Sequence, residues 1–245
     1  MLRYAMAAGT KQSMAIGFEI TMDSAMGSMA MPAMTMNADV EVLQAGDAGA
    51  TYQTTFTGMD VKDVPGGMPG LSDMMKKSTS AIAGLKLTAT VDPSGKISDF
   101  KFDASAVPAQ MQQVVDQTKQ SIEQMVAQLP TEAVGKGAKW QTKQTIDQNG
   151  MKIDQTMVFE LVDATATTAH VRAISTMSAG KQTIKTQGMT ATLESLTGNG
   201  DMDMQIDLTK PVPAVTGTVD TKTKLSAMGQ TIDMSVAVKM SISAK

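Results

Sequence analysis

Methionine is the residue type with the most chemistry to offer in this sequence. The chain holds 24 Met, against 5 Phe, 2 Tyr, 1 Trp, one His and no Cys. The thioethers cluster at Met29-Ala30-Met31, Met34-Thr35-Met36, Met74-Met75 and Met202-Asp203-Met204. Soft sulfur ligands hold Cu(I), and residues two apart on a strand point the same way, so a methionine-based copper-binding protein is one reading. A second reading is that these methionines fill a core. Met14, Met22, Met34, Met36, Met202, Met204, Met234 and Met240 all fall in the apolar phase of strand-like runs. A third lies between them. Methionine is flexible and polarizable, so a sheet lined with it can accommodate an acyl chain without a fixed mould.

The other reactive groups form no constellation. His170 stands beside Arg172 in a strand-like run, and no Gly-x-Ser-x-Gly sequence is present to hold a nucleophile for it. It reads as a surface or edge histidine. Asp201, Asp203 and Asp207 share one phase of a strand, which is a solvated face rather than the loop that wraps calcium. Gly66-Gly67-Met68-Pro69-Gly70 lacks the Lys-Ser or Lys-Thr of a phosphate loop. With no Cys and one His, no common zinc, haem or iron–sulfur site can be assembled. The expectation is therefore no enzyme, no cofactor and no metal requirement.

Composition narrows the partners. The chain has 245 residues, 42% hydrophobic and 18% charged, with a formal net charge of -3. There is no basic surplus for a phosphate backbone, so nucleic acid is not expected as a partner. No stretch approaches the roughly 20 apolar residues that span a bilayer. The opening Met1-Leu2-Arg3-Tyr4 lacks a long apolar leader. If the protein is exported, its targeting segment is absent from this chain.

The elements that must position these residues are mostly strands. Met14, Ile16, Phe18, Ile20 and Met22 alternate with Ser13, Ala15, Gly17, Glu19 and Thr21. That period of two is the mark of a half-buried strand. Similar runs precede it at Leu2, Tyr4 and Met6 and follow it at Met34 to Val42 and Tyr52 to Gly58. Residues 71–82 have the spacing of a short helix. Asp92-Pro93-Ser94-Gly95 predicts a tight turn joining strands at 85–91 and 97–102, with a bulge where parity slips at Phe100. The second half reads as strands at 140–147, 151–161 and 168–177, one or two more in 181–197, a turn at Gly198-Asn199-Gly200, and strands at 202–208, 215–225 and 232–242. Asn149-Gly150 marks a hairpin.

One long amphipathic helix is expected over residues 107–129, ended by Pro130. Met111, Val114, Val115, Ile122, Met125 and Val126 form its apolar stripe. In the third methionine reading these six line a ligand together with Met34, Met36, Met234 and Met240 of the sheet. The Pro- and Gly-rich segment of Gly66, Gly67, Met68, Pro69 and Gly70 would be the gate. A stripe on one helix in a β chain must be buried somewhere, which puts the helix against the sheet. The fold class is mainly β, with large curved antiparallel sheet packed on that helix. Residues 1–106 form one β half with the short helix near 71–82, and 130–245 form the other. The two share a core and carry parallel patterns that suggest an internally duplicated half-barrel.

The junction Leu129-Pro130-Thr131-Glu132-Ala133-Val134-Gly135-Lys136-Gly137-Ala138-Lys139-Trp140 resembles the entry to the second half of certain uncharacterised bacterial cell-envelope proteins, many of them lipoproteins. Leu129, Pro130, Val134, Gly137 and Trp140 carry the match; Ala138 stands where that family often has Asp. The element order also resembles the LolA/LppX-type half-barrel carriers, in which a curved sheet covers helices and holds acyl chains. The resemblance implies a periplasmic or outer-membrane-surface protein. Its expected ligand is a lipid or other apolar molecule, with an envelope protein partner as a further candidate. The alternative is a structural or protein-interaction module of the cell surface with a solid core.

Overall fold

The computed structural model describes all residues except 26, 68–69, 80–81, 104–128, 131, 149, 187–188 and 228–229. Its elements in chain order are β1 (Lys11–Ser24), β2 (Gly27–Ala30), β3 (Ala33–Gly46), β4 (Gly49–Lys62), α1 (Leu71–Thr79), β5 (Lys86–Val91) and β6 (Ile97–Phe102). There follow β7 (Lys139–Gln148), β8 (Met151–Ala164), β9 (Thr168–Ala179), β10 (Gln182–Thr186), β11 (Met189–Asp207), β12 (Ala214–Ala227) and β13 (Gln230–Ala244). The protein is mainly β. Among the described residues the strands make one large open antiparallel sheet of 13 strands, ordered β6-β5-β4-β3-β1-β13-β12-β11-β9-β8-β7, with β2 on β1 and β10 on β11.

That order is an up-and-down meander broken at an unusual place. The first and last long strands pair in its middle, with Phe18 opposite Met240 and Ile20 opposite Val238. Among the described residues the strand order ends at β6 and β7, which residues 103–138 connect in sequence. The long helix expected over 107–129 falls on residues 104–128, outside the described residues, apart from Leu129. That residue lies in irregular chain rather than helix, is 4% exposed, and donates its amide to the Ser94 carbonyl at 2.8 Å. The short helix is present as α1.

Two expectations are corrected. Residues 2–6 alternate like a strand but do not join the sheet as one. Their amides are divided between distant parts of the chain: Tyr4 donates to Pro93 and Ala5 to Leu208. They form a strap. The feet of β5 and β11 lie six steps apart in the strand order, roughly 29 Å in a flat sheet at about 4.8 Å per step. Adjacent amides of the strap bind both, so the sheet is drawn together at this end.

The second correction concerns Gly198-Asn199-Gly200. It is not a turn; β11 runs straight through it from Met189 to Asp207. The glycines serve close packing instead of a reversal. A Cβ on Gly200 would sit 2.7 Å from the Ser175 hydroxyl oxygen, and one on Gly198 would sit 3.0 Å from both the Met177 and Thr221 methyls. The strand β2 was not legible at all.

The core lies on one face. Leu2, Leu129, Phe159, Leu161, Val171, Met204, Ile206 and Leu208 form one cluster where the strap crosses, with Tyr4 and Trp140 packed on it. Val40, Tyr52, Ala89, Val91 and Val212 form a second beside Met6. Smaller clusters stand on the two flanks, one around Ile153, Ile184 and Leu193 and one around Ala38, Phe56, Leu85 and Leu87.

Candidate functional site

Directly opposed residues of antiparallel strands project from the same face. The register therefore defines rows that cross the sheet. One row runs Trp140, Phe159, Ala173, Met202, Gly217, Met240, Phe18, Met34 and Val61, from β7 to β4. It begins with Trp140 stacked on Phe159 at a centroid distance of 5.4 Å. The next row toward the strap joins Leu161, Val171, Met204, Val215, Ile242, Ile16, Met36 and Met59. On the other side come Met157, Ser175, Gly200, Val219, Val238 and Ile20. These rows make a single apolar face.

Burial across this face is uneven. The flanking strands are sealed: Phe159, Leu161, Val171, Ala173, Leu87 and Ala89 are all buried. The central strands are sealed only at the strap end, where Ile16 and Val215 are buried, and are more open farther from it. Phe18, Ile20, Met22, Met34, Val219, Val236, Val238 and Met240 are half-buried. Small residues lie among them. A Cβ on Gly217 would meet the Met202 side chain at 2.7 Å, so Met202 leans into the space above β12.

The structure places the sheet residues expected to line a ligand. Met34 and Met240 flank Phe18 in one row, Met36 lies in the adjacent row opposite Met59, and Met234 lies further from the strap, opposite Thr223 and Ser24. Met111, Val114, Val115, Ile122, Met125 and Val126 lie outside the described residues. So do Met68 and Pro69 of the gate segment. Gly66 and Gly67 dock on the end of β2, where Ala30 donates to the Gly66 carbonyl at 3.5 Å and bridges to Gly67. Sequence reasoning missed Phe18, Val238 and Val219 as lining candidates. Their alternation was visible, but their position in the sheet's centre depends on β1 pairing with β13.

Methionine is distributed in a telling way. Among those whose side chains are described, only Met157 and Met204 are buried. Met6, Met14, Met22, Met29, Met34, Met36, Met59, Met202, Met234 and Met240 are half-buried. The fully buried positions are taken by Leu87, Leu161, Leu193, Val42 and Val171. The flexible residue is used where the apolar face is partly open, and rigid branched residues where it is closed.

The opposite face is polar. Its charges pair across strands, as Lys139 with Glu160 at 3.2 Å and Arg172 with Asp203 at 3.4 Å. His170 lies here, its Nε2 2.7 Å from an Asp203 oxygen. The bond to His170 lowers the Asp203 carboxyl from its ordinary value; burial opposes this, and the His170 charge, Arg172 and Gln205 add to the lowering. Both side chains are part-exposed, and among the described residues no hydroxyl is bonded to the imidazole. Among the described residues no group of three or more His, Asp or Glu is arranged to hold a metal ion. No described helix is long and apolar enough to cross a membrane.

Comparison with known proteins adds one finding. Residues 103–212 match a family described as Family of unknown function (DUF6263). The match takes in the Leu129-to-Trp140 junction and β7 to β11, under half of the chain. No curated protein and no solved structure matches.

Proposed function

We propose that this chain is a non-enzymatic protein of the bacterial envelope, in the periplasm or at the outer-membrane surface, that holds a lipid or other apolar ligand against the central apolar face of its sheet. The observation that carries the reading is the placement of methionine. A side chain used merely to fill a core belongs at sealed positions, whereas an adaptable contact surface needs flexible thioethers where the face is open. The strap drawn across one end supports a half-barrel of the LolA/LppX type, closed below and open along its centre. Each methylene of an acyl chain that becomes fully buried against this face contributes about 0.8 kcal/mol.

Native mass spectrometry of the purified protein tests this. A co-purifying lipid, or stoichiometric uptake of added fatty acid, is expected. A protein that stays at its bare mass with a saturating range of fatty acids and phospholipids would overturn the proposal.

A protein-interaction role is favoured by one observation. Ile174 and Val158 are directly opposed on the polar face and 58% and 38% exposed.

A further inference from the structure

The half-buried methionines have a chemical property that leucine lacks. Met36 stands directly opposite Met59, and Met22 directly opposite Met29. Directly opposed Cβ atoms lie about 5 Å apart, so each pair brings two thioethers into one small volume. Met34 and Met240 flank Phe18 in the row beside the first pair. All six are half-buried. They line the apolar face, yet they remain within reach of a small oxidant. Leucine would supply similar bulk and is the residue used at sealed sites such as Leu161 and Leu193.

We infer that these methionines are a reversible oxidation site that sets whether the face holds its ligand. This rests on the binding function proposed above. The oxidant is a hydroperoxide, either hydrogen peroxide or one carried on an oxidised lipid. The thioether sulfur attacks the terminal oxygen, an S–O bond forms and the O–O bond breaks. The departing hydroxide or alkoxide takes a proton and leaves as water or alcohol. Sulfur loses two electrons and the peroxide gains them. The product sulfoxide is polar, and pressing it against an acyl chain leaves a strong acceptor without a partner. The face thereby changes from apolar to mixed. Methionine sulfoxide reductases, one for each sulfoxide epimer, reverse the change with two electrons from an external dithiol, which becomes a disulfide while the oxygen leaves as water.

The test treats the full chain with hydrogen peroxide, measures sulfoxide at each methionine by peptide mass spectrometry, and measures the affinity for a fluorescent fatty acid before oxidation, after it, and after reductase treatment. Met74, 68% exposed on α1, sets the fast limit; Met157 and Met204, 9% and 3% exposed, set the slow one. Met22, Met29, Met34, Met36, Met59 and Met240 are expected near the fast limit. Affinity falls about tenfold or more and returns on reduction. In a variant carrying Met22→Leu, Met29→Leu, Met34→Leu, Met36→Leu, Met59→Leu and Met240→Leu, affinity after peroxide stays within about twofold of that variant's own untreated value. The inference is overturned if the six methionines are as slow as Met204, if the oxidised protein binds as before, or if the leucine variant loses affinity as the unmodified chain does. An untreated protein that takes up no fatty acid overturns the binding proposal, and the switch with it. Binding that survives oxidation removes the switch alone.

Discussion

Phe159→Ala removes one ring of the Trp140–Phe159 stack in the strap-end core. Phe159 is 4% exposed and its ring stacks on Trp140 with an interplanar angle of 11°. Truncating a buried phenylalanine costs about 3–5 kcal/mol, from lost transfer energy and from the cavity left behind. Of that, about 0.5–1.5 kcal/mol belongs to the ring pair itself. The site cannot collapse readily, because Ala173 beside it in the row is already small and Leu161 on the same strand is 1% exposed. A value near 4 kcal/mol follows. With a urea slope of about 2–3 kcal/mol/M, the unfolding midpoint drops by roughly 1.3–2 M. Trp140 is the only tryptophan, so its fluorescence reports the transition. Phe159→Leu keeps most of the bulk and is expected to cost about 1–2 kcal/mol. A loss below about 1 kcal/mol for the alanine variant would refute the reasoning, since it falls short even of the lower bound for a sealed ring. Equal losses for alanine and leucine would refute the division between bulk and stacking.

Burial pushes the Tyr52 phenol up to about 12, and burial together with the neighbouring Tyr52 charge raises Tyr4 further. The folded chain keeps both protons where the unfolded chain begins to lose them, near pH 10. Stability should be intact below pH 10 and fall as pH climbs toward 12, with tyrosinate absorbance appearing together with unfolding rather than before it. Gly49 has φ +129°, and a Cβ there would collide with the Val91 carbonyl. Gly49→Ala is expected to lower stability by about 2 kcal/mol in urea titration. The Asp92 side chain accepts from the Ser94 amide at 2.8 Å, the Ser94 hydroxyl at 2.6 Å and the Lys96 amide at 3.0 Å, and this turn supplies the carbonyls that hold Tyr4 and Leu129. Asp92→Ala should cost about 1–2 kcal/mol, with faster amide exchange at Tyr4 and Leu129.

Strands with one apolar face were legible because burial acts on alternate residues. Tyr52 to Phe56 in β4 and Ala169 to Ser175 in β9 show this. Turns with a chemical requirement were legible too: Gly150 takes φ +80° where Asn149-Gly150 predicted a reversal. Gly198 and Gly200 misled because glycine serves two ends, turning a chain and admitting a neighbour, and only cross-strand packing distinguishes them. Residues 2–6 misled because alternate burial does not require a strand partner; the strap buries Leu2 by lying across the sheet's end. Of the candidate site, that Met34 and Met240 share the apolar phase of their strands was legible from parity, and their meeting across Phe18 was not. Parity says which residues share a face, but neighbours come from strand order. Here that order joins the first long strand to the last.

The measurement that bears most directly on the binding account is photocrosslinking with a photoactivatable fatty acid, followed by residue-level mapping of the attachment sites. Residues of the central apolar face, Phe18, Met34, Val238 and Met240 foremost, should carry the label. Unlabelled fatty acid should compete it away. Attachment confined to the polar face, at Lys239, Thr218 or Arg172 for example, or labelling that does not saturate, would contradict the account.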